Sequence, residues 1–344
     1  MKKFVLIVLL GIFTSTLLFS GGIADASVTF SPDNRSIISW SHGDNVVIKY
    51  WNVSNGNEIN TISQPNSKNG IKQWDVTTGR EIRTFSGHTN SIRSVVFTPD
   101  GKTIISGSND KTIKQWDVTT GREIRTFSGH TGSIRSVVLT PDGKTIISCS
   151  ADNKIIIWNI SNGQIIRTIF VQENIDSVSI SPDGKNIISN YNDVIYDEYD
   201  DEEYDEYGLI IWDVATGREI KRYNKFNNEI NIVLFSHDSK NIIINQNNKI
   251  IIIEQVTGRE IRTFTGHTSS VNSFALSRDG KYIISGSNDK TIKQWDVSSG
   301  REIRTFSGLS ESARSLGYSP DGRMIIAAYG TYNDDGGLDN ILGF

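Results

Sequence analysis

The sequence predicts an all-β protein in which repeated four-stranded antiparallel sheets stack in a ring. Three observations carry this prediction. The thirteen residues "SGSNDKTIKQWDV" occur at 106–118 and again at 285–297, and the tryptophans Trp74, Trp116 and Trp158 follow one another at intervals of 42 residues. A third is the wealth of Ile- and Thr-rich segments such as "TIISGS", which favour strands over helices beyond residue 20. In a chain of 344 residues, such a period indicates repeated units rather than separate domains.

One unit, residues 87–127, shows how each sheet forms. The segments "SIRSVVF", "KTIISGS", "TIKQWDV" and "EIRTF" are predicted strands, and "TPDG", "NDK" and "TTGR" are predicted turns. In the first turn Pro99 fixes φ and Gly101 tolerates a positive φ. A sheet of four short strands cannot bury both of its faces alone. Stacking copies in a ring covers both faces and leaves only short edges.

Four residue types recur at fixed spacing in three of the units. His precedes Asp by 22 residues, Ser precedes the same Asp by four, and Trp follows it by six. The sets are His88, Ser106, Asp110 and Trp116; His130, Ser148, Asp152 and Trp158; and His267, Ser285, Asp289 and Trp295.

With these motifs, residues of about 28–330 resemble the WD40 family of β-propellers. The resemblance implies a propeller in which each set of four residues forms a hydrogen-bonded tetrad. This fits the chemistry of the groups, since an indole N–H only donates, a hydroxyl both donates and accepts, and an imidazole can pass the chain of bonds to a carboxylate. A buried network of this kind stabilises a blade only when every member has a partner.

The blade count depends on units that depart from the pattern. Trp51 and Trp74 are only 23 residues apart, so the unit at about residues 65–86 lacks its first two strands. Seven units retain the first two strands, which predicts seven blades, with the half unit as an insertion. Eight blades with one defective blade is the alternative. The pattern does not fix how the ring closes.

Two further units keep their strands but lose the tetrad. One has Ile244, Asn248 and Glu254 in place of Ser, Asp and Trp. The last unit, from residue 310, has Leu309 in place of His and no Trp-Asp pair of its own. Terminal repeats are often atypical.

The N-terminal residues 1–26 have the features of a secretory signal peptide. Lys2 and Lys3 precede an apolar segment, and Ala24-Asp25-Ala26 fits a small-x-small cleavage site. We therefore expect a bacterial-type exported protein, periplasmic or extracellular, in which residues 27–344 form the propeller without membrane insertion. The alternative is an uncleaved membrane anchor at residues 4–24.

A single cysteine, Cys149, excludes an internal disulfide, and a packed thiol is expected there.

The charge distribution is asymmetric. The net charge is −4, but residues 196–207, "YDEYDDEEYDEY", contain eight acidic residues and no basic one. The lack of basic excess argues against nucleic acid as a partner. We expect the acidic insertion at 194–208 to be an extended, self-repelling surface loop. It lacks the spacing of a calcium loop, although its tyrosines can contact a basic partner.

No catalytic residue, metal site or cofactor is predicted. His88, Ser106 and Asp110 have the residue types of a hydrolase triad, but the set occurs three times, includes a tryptophan and lacks a G-x-S-x-G motif. The spacing of histidine and cysteine fits no zinc site, and no phosphate-binding glycine loop is present.

The resemblance implies partner contacts near the start of each first strand. The matching positions are Arg93, Arg135, Asp176, Asn231, Asn272 and Arg314. Each of the three arginines among them can bind a carboxylate of an anionic peptide through two donated hydrogen bonds. We therefore expect a non-catalytic scaffold that binds a protein or peptide on one propeller face. The alternatives are a propeller enzyme or sensor with a small ligand or metal in the central channel, and a degenerating repeat protein without a defined role.

Overall fold

The computed structural model describes residues 26–41, 45–65, 70–196, 203–226 and 228–331. The expected signal peptide, apart from Ala26, lies outside these ranges, and so does the alternative anchor at residues 4–24. Residues 197–202 of the acidic insertion and residues 66–69 of the half unit are also outside them.

The described residues form strands and turns and contain no helix. The first six strands are β1 (Ala26–Phe30), β2 (Ser36–Ser41), β3 (Asn45–Asn52), β4 (Glu58–Pro65), β5 (Gly70–Asp75) and β6 (Glu81–Ser86). The next twelve are β7 (Ile92–Phe97), β8 (Thr103–Ser108), β9 (Thr112–Asp117), β10 (Glu123–Ser128), β11 (Ile134–Leu139), β12 (Thr145–Ser150), β13 (Lys154–Asn159), β14 (Ile165–Phe170), β15 (Ile175–Ile180), β16 (Asn186–Tyr196), β17 (Glu203–Asp213) and β18 (Glu219–Phe226). The last ten are β19 (Val233–Phe235), β20 (Asn241–Gln246), β21 (Lys249–Glu254), β22 (Glu260–Thr265), β23 (Val271–Leu276), β24 (Tyr282–Ser287), β25 (Ile292–Asp296), β26 (Glu302–Phe306), β27 (Ser315–Tyr318) and β28 (Met324–Thr331).

These strands form seven four-stranded antiparallel sheets, which we call blades I to VII. Blade I has the order β1-β2-β5-β6, blades II to VI each take four consecutive strands from β7 to β26, and blade VII has the order β27-β28-β3-β4. The chain is a seven-bladed β-propeller, and the prediction of an all-β ring with seven blades is confirmed.

The repeated Ile-Ile pair in each second strand explains why the sheets stack. Neighbouring residues of a strand point to opposite faces. Ile104 therefore packs with side chains of blade I, while Ile105 packs with those of blade III. Ile325 and Ile326 of blade VII divide in the same way between blade VI and blade I. Each sheet thus buries both faces against its neighbours, and the hydrophobic clusters run around the whole ring.

The ring closes through a hairpin from the N-terminal part of the chain. Strands β3 and β4 do not join β1 and β2; β3 pairs with β28 instead, with Met324 opposite Asn52 and Thr331 opposite Asn45. The half unit supplies the third and fourth strands of blade I, because β5 pairs with β2. The inserted element is therefore the β3–β4 hairpin rather than the half unit, and this hairpin provides the Trp-Asn pair that the last unit lacks.

The contacts on both sides of this seam follow the pattern of the other blades. Trp74 of β5 donates its indole N–H to Ser39 of β2 at 2.8 Å, across the inserted hairpin. Trp51 of β3 packs on Phe306 of blade VI, with ring centroids 6.4 Å apart. The same tryptophan–phenylalanine contact joins blades I and II, where the centroids of Phe85 and Trp116 are 6.3 Å apart.

Arginines of the outermost strands also connect consecutive blades. Arg83 of blade I donates to the Val118 carbonyl of blade II at 2.7 Å, and Arg125 of blade II donates to the Asn162 carbonyl of blade III at 2.9 Å. At the seam, Arg304 of blade VI donates to the Ser54 carbonyl of the β3–β4 turn at 3.0 Å. The hairpin therefore occupies the place of a regular blade.

The antiparallel order places two sets of connections on two faces of the ring. The lower face carries the turns between first and second strands and those between third and fourth strands. The upper face carries the turns between second and third strands and the connections between blades. In the lower-face turn of blade II, the Gly101 amide donates to the Thr98 carbonyl at 2.8 Å, and Gly101 has a φ of 68°.

The described parts of the acidic insertion, residues 194–196 and 203–208, continue two strands of blade IV, whereas a loop was expected there. Strands β16 and β17 have 11 residues each, and their pairing continues to Tyr196 opposite Glu203. A basic residue, Arg222 of β18, lies beside the base of this acidic hairpin, and its acidic partners lie outside the insertion. Arg222 forms ion pairs with Glu173 and with Glu219, the latter at 2.8 Å, and its guanidinium lies 5.6 Å from the ring centroid of Tyr191.

Candidate functional site

The structure brings together the four residues of each predicted tetrad. In blade II, Nε2 of His88 lies 2.7 Å from Oγ of Ser106, and Nδ1 lies 2.7 Å from Oδ2 of Asp110. Trp116 donates its indole N–H to the same Ser106 oxygen at 2.8 Å. Strand β8 carries the serine, β9 carries the tryptophan, and the turn between them carries the aspartate.

Blades III and VI repeat this geometry. The Nε2–Oγ distance is 2.8 Å for His130 and Ser148 and 2.8 Å for His267 and Ser285. The indole N–H of Trp158 lies 2.9 Å from the serine oxygen, and that of Trp295 lies 2.8 Å from its serine. The remaining members, Asp152 and Asp289, accept from Nδ1 of their histidines at 3.0 and 2.8 Å.

Hydrogen-bond satisfaction assigns one order of donors in each tetrad. The indole donates to the serine oxygen, the serine hydroxyl donates to Nε2, and Nδ1–H donates to the carboxylate. This order requires a neutral imidazole. Burial lowers the pKa of His88 despite its hydrogen bond to Asp110, which favours that neutral form. Burial opposes ionisation of Asp110, but hydrogen bonds from Thr112 and His88 bring the pKa of its carboxyl below the ordinary value.

The tetrads are built as supports for the blade rather than as nucleophilic sites. Ser106 is fully buried, and its oxygen already accepts the indole N–H of Trp116. His88 is also buried, with its ring 5.9 Å from the Trp116 ring. A substrate carbonyl therefore has no route to the serine.

Blades I and IV keep the tryptophan–serine hydrogen bond of the tetrad. Trp74 donates to Ser39 at 2.8 Å and Trp212 donates to Ser189 at 3.0 Å. No histidine of the described residues joins either serine. The network is thus graded around the ring, from complete tetrads to single hydrogen bonds.

Two buried asparagines connect blades where the tetrad is incomplete. Asn190 accepts from the Ser177 amide at 2.9 Å and donates to the Ile230 carbonyl of blade V. Asn245 accepts from the Ile232 amide at 2.8 Å and donates to the Val271 carbonyl of blade VI at 2.7 Å. Sequence reasoning missed both residues. Their signal is a polar amide at the position that Gly107 occupies in blade II.

The six residues predicted to contact a partner lie around the upper end of the central channel. Four are the second residue of a first strand, Asn231 lies two residues before β19, and Arg314 directly precedes β27. The four are Arg93 in β7, Arg135 in β11, Asp176 in β15 and Asn272 in β23. First strands of neighbouring blades contact one another, as β7 and β15 both do with β11, so they are the innermost strands of the blades.

These rim residues differ in how far they are already engaged within the protein. Arg135 forms a salt bridge of 2.8 Å with Asp176, which is only 9 % exposed. Burial raises the pKa of Asp176, and the nearby Arg135 opposes that rise. Arg93 contacts the Asn109 side chain at 2.9 Å, and Asn272 contacts the Asn288 side chain at 2.7 Å.

Two absences hold for the part of the chain that the structure describes. No cluster of three or more His, Cys, Asp or Glu side chains there is arranged to hold a metal ion. In those same residues, no helix has the length and apolar character needed to cross a membrane.

The comparison with known families agrees with this geometry. The family model "WD domain, G-beta repeat" matches residues 79–117, 121–159 and 258–296. The chain contains WD40 repeats. The three matched segments end at the Trp-Asp or Trp-Asn pairs of blades II, III and VI, which are the blades with complete tetrads. No curated protein matches the chain significantly.

The serine of a complete tetrad should matter more than the serine of a partial one. Ser106→Ala removes the hydrogen-bond partner of both Trp116 and His88. We therefore expect the free energy of unfolding, measured by urea denaturation, to fall by about 3 kcal/mol. Ser189→Ala is the matched control, because only Trp212 loses a side-chain partner there, and we expect a loss of about 1 kcal/mol. Equal losses for the two variants would contradict the role assigned to the histidine.

Proposed function

We propose that the protein is an exported, non-catalytic scaffold that binds a protein or peptide segment through its upper face. WD40 propellers are commonly protein-interaction scaffolds. The observation that carries the proposal concerns the upper channel mouth. The polar residue at the rim differs in type from blade to blade, whereas the buried framework of the blades is repeated. The framework positions are occupied by buried hydrogen-bonded groups, whereas Arg93 and Arg314 are partly exposed.

The upper face offers two charge regions to a partner. Arginines lie at the channel mouth, and the acidic hairpin extends from the turn between second and third strands of blade IV, which belongs to the same face. A guanidinium pairs bidentately with carboxylates, and clustered acids attract basic segments. We therefore infer that the partner segment has an acidic part for the mouth and a basic part for the hairpin.

Export is part of the proposal. Its support is the N-terminal segment, with Lys2 and Lys3 before an apolar stretch and a small-x-small site that ends at Ala26. When the full chain is expressed with its own leader in a Gram-negative host, sequencing of the protein recovered outside the cytoplasm should start at Ser27. A chain that starts at Met1 and sediments with membranes would instead support the anchor.

The partner face can be tested with residues 27–344 as bait for a displayed library of random peptides. We expect enrichment of acidic peptides and at least about tenfold weaker binding after Arg93→Ala and Arg314→Ala together, since each residue offers one charge-assisted contact. Arg135 is left unchanged, because its removal would strand the buried Asp176 and confound binding with stability.

The matched control removes two arginines from the lower face. Arg35 and Arg323 are exposed in the corresponding turns of blades I and VII, so Arg35→Ala with Arg323→Ala makes the same change in net charge. This control should bind the selected peptides like the unchanged protein. If the control loses binding while the rim variant keeps it, the partner uses the lower face and the proposal is wrong.

A further inference from the structure

The lower end of the central channel contains a cavity of about 160 Å³, with side chains from all seven blades around it. Its wall is largely apolar. Ile180, Leu234 and Leu276 are only half-buried although they belong to innermost strands, and Phe30 and Tyr318 complete the wall on the side of blades I and VII. A cavity of this size is comparable to one that holds an aromatic ring.

Two basic residues interrupt this wall. Among the described residues that line the cavity, the only ionisable side chains apart from that of Tyr318 are those of His237 in blade V and Arg278 in blade VI. Both stand where the lower-face turns of the other five blades have Pro32, Pro99, Pro141, Pro182 and Pro320. The departure from the repeat is therefore confined to two adjacent blades and is basic in both.

The packing around these turns shows the effect of having His237 and Arg278 in place of proline. In regular blades the proline lies against the turn glycine of the next blade, so that a Cβ on Gly143 would be 2.8 Å from Pro99. His237 takes the same place against Gly280 of blade VI, where a Cβ would be 3.4 Å from its ring. Arg278 does not cover Gly322 of blade VII: a Cβ there would have no atom within 4 Å. The turns around the cavity thus leave an open corner between blades VI and VII, beside the exposed Arg278.

The acidic groups of these turns do not neutralise the arginine. Asp279 accepts a hydrogen bond from Ser277 at 2.7 Å and lies 3.5 Å from Lys281. Asp238 accepts from Ser236 within its own turn. Among the described residues Arg278 has no ion pair, while His237 packs against the turn of blade VI beside it. A guanidinium that lies beside an apolar cavity without an ion pair is suited to binding the carboxylate of a ligand.

We propose that the lower end of the channel binds a small organic carboxylate with an apolar body. The ring or branched alkyl group of the ligand occupies the apolar wall near Leu234 and Leu276. Its carboxylate contacts Arg278, and the imidazole of His237 provides a second polar contact. Sites of this kind combine an apolar cavity with a few polar groups that fix orientation. Burial lowers the pKa of His237, so Arg278 supplies the positive charge at neutral pH.

This site is separate from the proposed partner face. It lies at the opposite end of the channel from Arg93 and Arg314, because first strands run from the upper face to the lower-face turns. The proposed protein thus has a ligand-binding site at one end of the channel and a partner-binding surface at the other. The same seven innermost strands connect the two. Failure of either proposal leaves the other standing.

Titration calorimetry with phenylacetate tests the site on residues 27–344. The neutral analogue phenylacetamide and the cation 2-phenylethylammonium have similar size, so they separate the charge of the ligand from its shape. We expect saturable binding of phenylacetate, at least about tenfold weaker binding of phenylacetamide, and no binding of the cation.

Three variants assign the binding to the corner. Arg278→Gln keeps the length of the side chain without its charge and should weaken phenylacetate binding at least about tenfold. Arg278→Pro restores the turn of the other blades and should have the same effect. Lys240→Ala removes one exposed positive charge from the neighbouring turn of blade V without touching the cavity or the partners of Asp279, so it should bind like the unchanged protein. Melting temperatures show whether each variant is folded, and Arg278→Gln remains informative if the proline variant is not.

The proposal is overturned by any of three results. These are the absence of saturable phenylacetate binding at millimolar concentrations, equal affinity for phenylacetate and phenylacetamide, and unchanged affinity in folded Arg278→Gln. Loss of phenylacetate binding in the Arg93→Ala, Arg314→Ala protein would also contradict it, because that result would place the ligand at the upper mouth.

Discussion

Burial of both faces of every sheet is the constraint on which this structure depends. A four-stranded sheet with adjacent isoleucines in its second strand has an apolar surface on each side. Neither side can remain open to water, so each sheet needs two neighbours. A row of sheets would always leave two uncovered faces at its ends. Closing the row into a ring removes both, and the clusters around Ile104 and Ile326 show the same packing in the middle of the chain and at the seam.

The seam satisfies this constraint with a hairpin from the interior of the first unit. Strands β3 and β4 leave blade I and complete blade VII, while the half unit fills the vacated positions through β5 and β6. Blade VII thereby pairs strands that are far apart in the chain, since Met324 lies opposite Asn52 and Thr331 opposite Asn45. The contacts of Trp51 with Phe306 and of Arg304 with the Ser54 carbonyl reproduce those of regular blades. Non-local pairing of this kind holds the two ends of the ring together.

Much of the fold could be predicted because the repeat specifies local structure. The period defines strand, turn and hydrogen-bonding position, so the number of blades and the grouping of His88, Ser106, Asp110 and Trp116 follow from spacing. The route of the seam does not follow. The strand segments "IKYWN" of β3 and "IKQWD" of β5 have nearly the same sequence. Either could therefore be expected to pair with β2. Periodicity names the type of strand but not its partner in space.

The departures from the repeat were the least predictable part and are the most informative for function. A run of acids suggested a loop because repulsion was weighed without the backbone pairing of β16 and β17. His237 and Arg278 had a readable signal, the loss of proline from a four-residue turn. Its meaning required the three-dimensional arrangement, since only the stacking of blades V and VI places the two turns side by side at one channel mouth.

The most direct test of the account asks which strand lies beside β3. Met324 and Asn52 are opposed in a pair without hydrogen bonds between them, where Cα atoms are close enough for a disulfide. In a Cys149→Ala background, oxidation should crosslink Met324→Cys with Asn52→Cys, detected by mass spectrometry and by mobility without reductant. Ser36→Cys with Asn52→Cys should keep two free thiols. Crosslinking of the second pair and not the first would show that β3 belongs to blade I and would contradict the closure described above.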